Sequence, residues 1–465
     1  MPQMLKFKKI AATSLYCALL SITNIAIAEN LDGNDLHVNG YSTNQLVHLS
    51  QDFNFFSLAA TQKNYTVLDS VSQYQQVVNN AREQLTSIMQ KLAEYRSQDL
   101  DQQVAFITQQ LSDIPYLATG AMGEGDWQYN KNGGYQHNIA HIKQDPIYRL
   151  DGLDCQTFVQ VVMALLHSND MNEFDNSILK IAYGAARNPD DDVIHYYNRN
   201  NFADADFNPI NEKNGWLSDA TPPSITTSAN ITRNNWFTFK LQDLTNNIRV
   251  LTDADGPNMV ERFRTVYTKL NFANFDSEIV SLSYIPKETL AIKQTDGSYQ
   301  ADSTELDKIP TPAVVEIVKD VKKWYIGTKN IKDISGSEQN ISHMGLLYRQ
   351  TFKSGDTIYQ KVACKLDDEK KKTCTVTPVT CQKDQCNELM FAQATNAYPD
   401  GYYWYQQNGQ FTCSPNKPAD NSVKYTQCNR VERLPLADYL TRQQYLIHPF
   451  MDTSSIIGIH VEKLL

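Results

Sequence analysis

Apolar residues recur at spacings of three and four between residues 67 and 114, as at Leu85, Ile88, Met89 and Leu92, and predict helices broken near Ser97 and ended before Pro115. A second helical pattern follows Asp154, where Phe158, Val161, Val162, Leu165 and Leu166 fall at i, i+3, i+4, i+7 and i+8 and make one buried face. Segments 313–319, 341–349, 357–364, 388–395 and 456–463 read as strands, and in 341–347 the positions His343, Gly345 and Leu347 share one side while Ser342, Met344 and Leu346 share the other. Helices first and strands later predict an α+β domain, with the 154–166 helix packed on an antiparallel sheet.

The first 28 residues read as a signal peptide. Lys6, Lys8 and Lys9 precede an apolar run from 10 to 27, and Ala26-Ile27-Ala28 offers a small-x-small cleavage pattern. Residues 29–66 are a polar leader without periodicity, 67–114 a helical N-terminal region, and 115–465 the main domain, enlarged by insertions near 224–281, 364–386 and 398–430. The run Gly120–Gly125 lacks both a preceding strand and a following Lys-Ser/Thr, so it reads as a loop rather than a phosphate cradle.

A formal charge of -10, with no long Lys/Arg run, argues against nucleic acid or an anionic membrane surface as partner. Cysteine usage is more specific. Of eight cysteines, Cys17 leaves with the signal, and Cys364, Cys374, Cys381, Cys386, Cys413 and Cys428 crowd the last third. An exported chain would meet an oxidising compartment, where these six can close up to three disulfides in any of fifteen connectivities. Such bridges would stiffen loops at the rim of a cleft. Cys155 is left over.

Asp154 is a good helix N-cap and places Cys155 in the first turn, where free N–H groups and the macrodipole favour a thiolate. A lone buried cysteine is ordinarily a small hydrophobe; a nucleophilic one needs a histidine brought near by a distant segment. Of nine histidines, His37, His48, His448 and His460 lie near the chain ends and His167 closes the far end of the helix. His137 and His141 are four apart, but Asn138 stands where a zinc peptidase would carry Glu, so no metal site is expected there. His195 lies among Tyr and Asn. His343 opens a strand, with Gly345 leaving room beside its ring.

The run Leu153-Asp154-Cys155-Gln156-Thr157-Phe158-Val159 resembles the nucleophile motif of the DUF1460 family, an N-acetylmuramoyl-L-alanine amidase-like branch of the NlpC/P60 papain-like superfamily. Further segments resemble family landmarks in order: Arg199-Asn200-Asn201-Phe202, Asp219-Ala220-Thr221, Tyr284-Ile285-Pro286-Lys287, Ser342-His343-Met344-Gly345 and Leu436–Leu440 with Ile457-Gly458-Ile459. The resemblance implies a papain-like core in which Cys155 is the nucleophile, His343 the general base, and Gln393 the third polar residue, in place of the family's usual His. It implies substrate contacts from Arg199, Asn201, Asp154, Thr157 and Ser342, with one of Tyr116, Tyr129 and Tyr135 matching a further tyrosine near the first loop. The activity implied is hydrolysis of amide bonds in peptidoglycan or soluble muropeptides, between N-acetylmuramic acid and L-Ala or, alternatively, between D-Glu and the diamino acid of the stem. No cofactor is implied, and the mature protein would be periplasmic or secreted. A non-catalytic wall-fragment binder on the same scaffold is the remaining alternative, which the pairing of Cys155 with His343 disfavours.

Overall fold

The computed structural model describes residues 71–117, 124–127, 144–146, 150–183, 200–222, 225–232, 277–323, 325–326, 329–330, 332–333, 336–366, 372–442 and 456–465. The expected signal peptide and polar leader, Tyr129, Tyr135, His137, His141, His195, Arg199 and residues 233–276 of the first insertion lie outside these.

The N-terminal periodicity folds into helices α1 (Val71–Leu92) and α2 (Leu100–Gln110). Asp99 caps α2 by accepting from the Gln102 N–H, and Val104, Ile107 and Leu111 are fully buried behind it. The turn between them carries Arg96, whose guanidinium donates to the carbonyls of Leu165, Leu166 and Ser168 at 2.5–2.9 Å. It thereby satisfies the C-terminal carbonyls of the next helix, α3 (Cys155–Leu166), groups that a helix cannot pair for itself. Arg82 adds an ion pair to Asp175 on α4 (Met171–Tyr183). Residues 71–110 thus share one hydrophobic core with the rest of the chain.

All neighbouring strands of the eight-stranded sheet are antiparallel. With β1 (Leu217–Asp219), β2 (Ile225–Ile231), β3 (Glu278–Pro286), β4 (Ala313–Lys319), β5 (Ile341–Lys353), β8 (Gln385–Ala394), β12 (Val431–Pro435) and β13 (Ile456–Leu464), the order is β12-β8-β5-β4-β13-β3-β2, and β1 also pairs with β13. Every residue of β4 is buried, as expected of a central strand covered on both faces. Helix α3 is buried from Thr157 to Leu166 and packs against β5 and β8 between α2 and α4. The α+β class and the helix on an antiparallel sheet are as the sequence predicts.

One strand assignment is corrected. Segment 357–364 does not join the sheet. It forms β6 (Thr357–Leu366), which pairs with β7 (Lys372–Thr380) in a separate hairpin. Beside the turn at Gly355 (φ 87°), β5 is paired with β8 over residues 346–353, and on its other edge the Arg349 N–H donates to the Asp101 carboxylate of α2 rather than to a strand. Conversely, the ends of the first insertion are sheet strands, β2 and β3.

The six clustered cysteines pair as Cys364–Cys374, Cys381–Cys386 and Cys413–Cys428. The first joins directly opposed residues of the β6–β7 hairpin. The third staples a small sheet of β9 (Tyr403–Gln407), β10 (Gln410–Ser414) and β11 (Tyr425–Gln427). The two insertions pack on each other through Trp404, Tyr402, Tyr398, Phe411, Val362 and Val376.

Candidate active site

Cys155 is the first residue of α3. Asp154 accepts from the Thr157 N–H at 2.7 Å, and Thr157 Oγ1 accepts from the Asp154 N–H at 2.9 Å, a closed capping box. The two side chains expected to touch substrate are therefore turned on each other and buried, and their role here is to fix where the helix begins. Cys155 is the only free cysteine among the described residues and is half-buried. Its Sγ lies against the backbone N–H of Met344, the residue beside His343.

Burial first, then the Asp154 carboxylate, pushes the Cys155 thiol up to about 12, against the N–H groups of Met344, Gln156 and Cys155, which pull it down. At this position desolvation works against the helix terminus, which favours the thiolate. Burial likewise drives His343 down to about 4, against its hydrogen bond to Gln393. Both shifts favour the neutral forms, thiol and imidazole.

β5 and β8 bring His343 and Gln393 together. Leu347 is paired with Phe391, which places His343 and Gln393 on one side of the sheet. His343 Nε2–H donates to Gln393 Oε1 at 2.5 Å. Because the Nε2 proton is spent there, the basic lone pair is on Nδ1. The amide cannot flip without loss, since Gln393 Nε2 donates to Glu432 Oε1 at 2.8 Å. Glu432, on β12, is held in turn by Arg442 Nη2 at 2.9 Å and by the Tyr398 hydroxyl at 2.5 Å. Burial would raise its carboxyl, but Arg442 and Arg430 outweigh that and hold it below the ordinary glutamate range.

Aromatic rings wall the histidine. Phe391 meets the His343 ring edge-on at 6.4 Å, Tyr439 lies roughly parallel to it at 6.5 Å, and the two aromatics are 4.8 Å apart. Tyr439 also lies within electrostatic reach of Cys155, so the thiol and the imidazole converge on one buried ring. Gly345 admits this packing: a Cβ there would come 2.5 Å from the Ala392 carbonyl and 2.6 Å from the Phe391 ring.

Of the other expected contacts, Ser342 Oγ donates to the Ile317 carbonyl at 3.4 Å, beside His343. Asn201 is half-buried. Its neighbour Asn200 accepts through its carbonyl from Gln156 Nε2 at 2.5 Å, which sets this segment against the first turn of α3. Arg199 lies outside the described residues, and Tyr116 is tied through its N–H to the Asn429 carbonyl. Sequence reading missed Glu432, Arg442 and Tyr398. The available signal was a charge inside the strand Val431-Glu432-Arg433-Leu434-Pro435, since a glutamate in such a strand is kept only with partners.

No curated protein sequence matches the chain. A crystal structure of a Legionella pneumophila str. Philadelphia 1 protein, matched to the DUF1460 family, superposes with a TM-score of 0.53 over 84% of this chain and 97% of that one, at 20% identity, a likeness of fold. The model of the AmiA-like family, described as N-acetylmuramoyl-L-alanine amidase-like, matches residues 126–372. That span holds Cys155 and His343 and more than half of the chain, which belongs to the AmiA-like family.

Proposed function

We propose that this protein is an exported cysteine amidase of the papain-like NlpC/P60 type that hydrolyses the amide between N-acetylmuramic acid and L-Ala in peptidoglycan or muropeptides. The observation that carries the reading is the line Cys155, His343, Gln393, Glu432. A thiol at a helix start faces a strand whose histidine is held in one tautomer by a buried, charge-backed amide. A purely structural cysteine has no need of such a partner. The amidase-like family supports the substrate class. Three disulfides, with no described helix long and apolar enough to cross a membrane, are compatible with export.

As Sγ attacks the amide carbonyl, Nδ1 of His343 takes the thiol proton, and the C–S bond forms as the carbonyl electrons move onto oxygen. N–H groups at the α3 start stabilise that oxyanion. Collapse expels the stem-peptide amine, which takes the proton from Nδ1 and leaves a thioester. Water, deprotonated by the same Nδ1, then attacks the thioester and releases the muramic acid and the thiol. The positive charge on imidazolium, costly in a site that lowers His343, is offset through the Gln393 amide by the Glu432 carboxylate.

Mass spectrometry of muropeptides incubated with the oxidised, signal-free protein and with Cys155→Ala tests the reading. Loss of the whole stem peptide, absent in the variant, is the expected result. A cut after D-Glu would replace it with the endopeptidase reading, and no product from any wall fragment would sink both.

A further inference from the structure

The last strand brings a second constellation together, away from the thiol. On β13, His460 and Glu462 are two residues apart and share a face; His460 is register partner of Glu316 on β4, and Glu462 of Asp219 on β1. One donor atom from each of Asp219, His460 and Glu462 lies within 4.8 Å of the other two. Glu212, from the helix 208–213, is within hydrogen-bonding reach of Glu462. Two carboxylates in contact have to share a proton or a cation.

The imidazole is oriented for the cation. Its Nδ1–H donates to the Ser283 carbonyl at 2.8 Å, with Thr221 Oγ1 3.0 Å away, so Nε2 is the atom that points at Glu462 Oε1, 2.8 Å distant. A backbone carbonyl behind one nitrogen is the usual way a metal-binding histidine is held. A second observation stands apart from these contacts. Glu462 is fully buried, and among the described residues its Oε2 has no hydrogen-bond partner. A buried carboxylate oxygen does not stay unpartnered without cost, and either a cation or the acid proton of Glu212 would satisfy it.

We propose that Asp219, His460 and Glu462, with Glu212 at the rim, bind a divalent transition-metal ion that ties β1 and the helix 208–213 to β13. One imidazole with two or three carboxylates suits zinc or manganese, whose bonds to such ligands run about 2.0–2.2 Å and are reached here by small side-chain adjustments. Asp219 and Glu212 are exposed and leave the ion a route in, while His460 and Glu462 are closed off from solvent. The competing arrangement is protons alone: imidazolium His460 paired with Glu462, and one acidic proton between Glu212 and Glu462.

The test is titration calorimetry of Zn²⁺ and Mn²⁺ into the chelator-treated full chain carrying Cys155→Ala, so that the thiol cannot serve as ligand, together with the absorption spectrum of bound Co²⁺. The expected result is one ion per chain and a rise of the thermal midpoint on loading. Binding should weaken by at least about tenfold in Asp219→Asn, an exposed position that leaves the core intact, and in Glu462→Gln. No stoichiometric binding, or affinity unchanged in both variants, overturns the site and leaves the protonated cluster. Neither readout uses amidase activity, so this proposal and the proposed function fail separately.

Discussion

Gln393 gives its oxygen to His343 because its nitrogen is bound, at 2.8 Å, to the buried carboxylate of Glu432. An amide can face a histidine either way; the carboxylate behind it removes the choice. It also carries negative charge toward the ring through one neutral residue, so the relay ends in an anion although the residue in contact with the histidine is not one.

Glu432→Gln should lower kcat/KM by roughly one to two orders of magnitude, because the amide then loses its fixed sense and the imidazolium its distant counter-charge. It should also cost about 1–3 kcal/mol of stability by removing the carboxylate that pairs with the half-buried Arg442. Adding Arg442→Met should restore much of the stability and none of the activity. Paired urea melts and steady-state kinetics measure both, and recovery of activity in the double variant would count against the relay.

The pH profile follows from the histidine. With His343 lowered to about 4, its neutral, base-competent form persists well below the usual histidine range, so the acid limb of kcat/KM should fall near pH 4 rather than near 6.5. Gln393→Glu puts a carboxylate against the ring and should move that limb upward by about 1–3 units. A wild-type limb at the ordinary imidazole value would contradict the lowering of His343.

Asp154→Asn separates the two effects of the cap residue. Asparagine caps nearly as well, so the melting midpoint should stay close to wild type. Removing the carboxylate should lower the thiol from about 12, read as faster alkylation by iodoacetamide at a fixed alkaline pH. An unchanged rate would show that burial alone holds the thiol up.

Arg96→Met should destabilise by about 3 kcal/mol in urea unfolding, since it strips the guanidinium from three carbonyls at the end of the nucleophile helix. The loss should appear without any change in the pH profile, because the site lies at the other end of α3.

Gly345→Ala inserts a methyl where the Ala392 carbonyl and the Phe391 ring already stand, 2.5 and 2.6 Å from it. The ring has to move, and the wall of His343 with it. A cost of about 1–3 kcal/mol and a fall in kcat exceeding any rise in KM are expected, from thermal melts and kinetics on one muropeptide.

Much of this was legible in one dimension. The 3.6-residue period of α1–α3, the apolar and β-branched runs of β4, β5, β8 and β13, and the cap ahead of Cys155 are local properties, fixed by which positions must be buried. They selected Cys155 and His343 from eight cysteines and nine histidines, and with the motif order they identified the family. The 357–364 segment also reads as a strand, yet a strand pattern does not say which partner it takes, and beside the turn β5 is held by β8 and by Asp101 of α2.

What only the tertiary structure decided is the environment of each chemical group. A helix start argues for a thiolate, but how much water reaches Sγ depends on residues 344 and 439, and desolvation pushes the other way, toward the neutral forms. Glu432, Arg442 and Tyr398 became visible as one network only when β12 was laid beside β8. His460 reads in the sequence as a residue near the chain end, and becomes a possible ligand because β13 runs between β4 and β1 and brings Asp219 across to it. Periodicity records which side of an element is buried; which charges meet there is set by strand order, and strand order is a property of the whole chain.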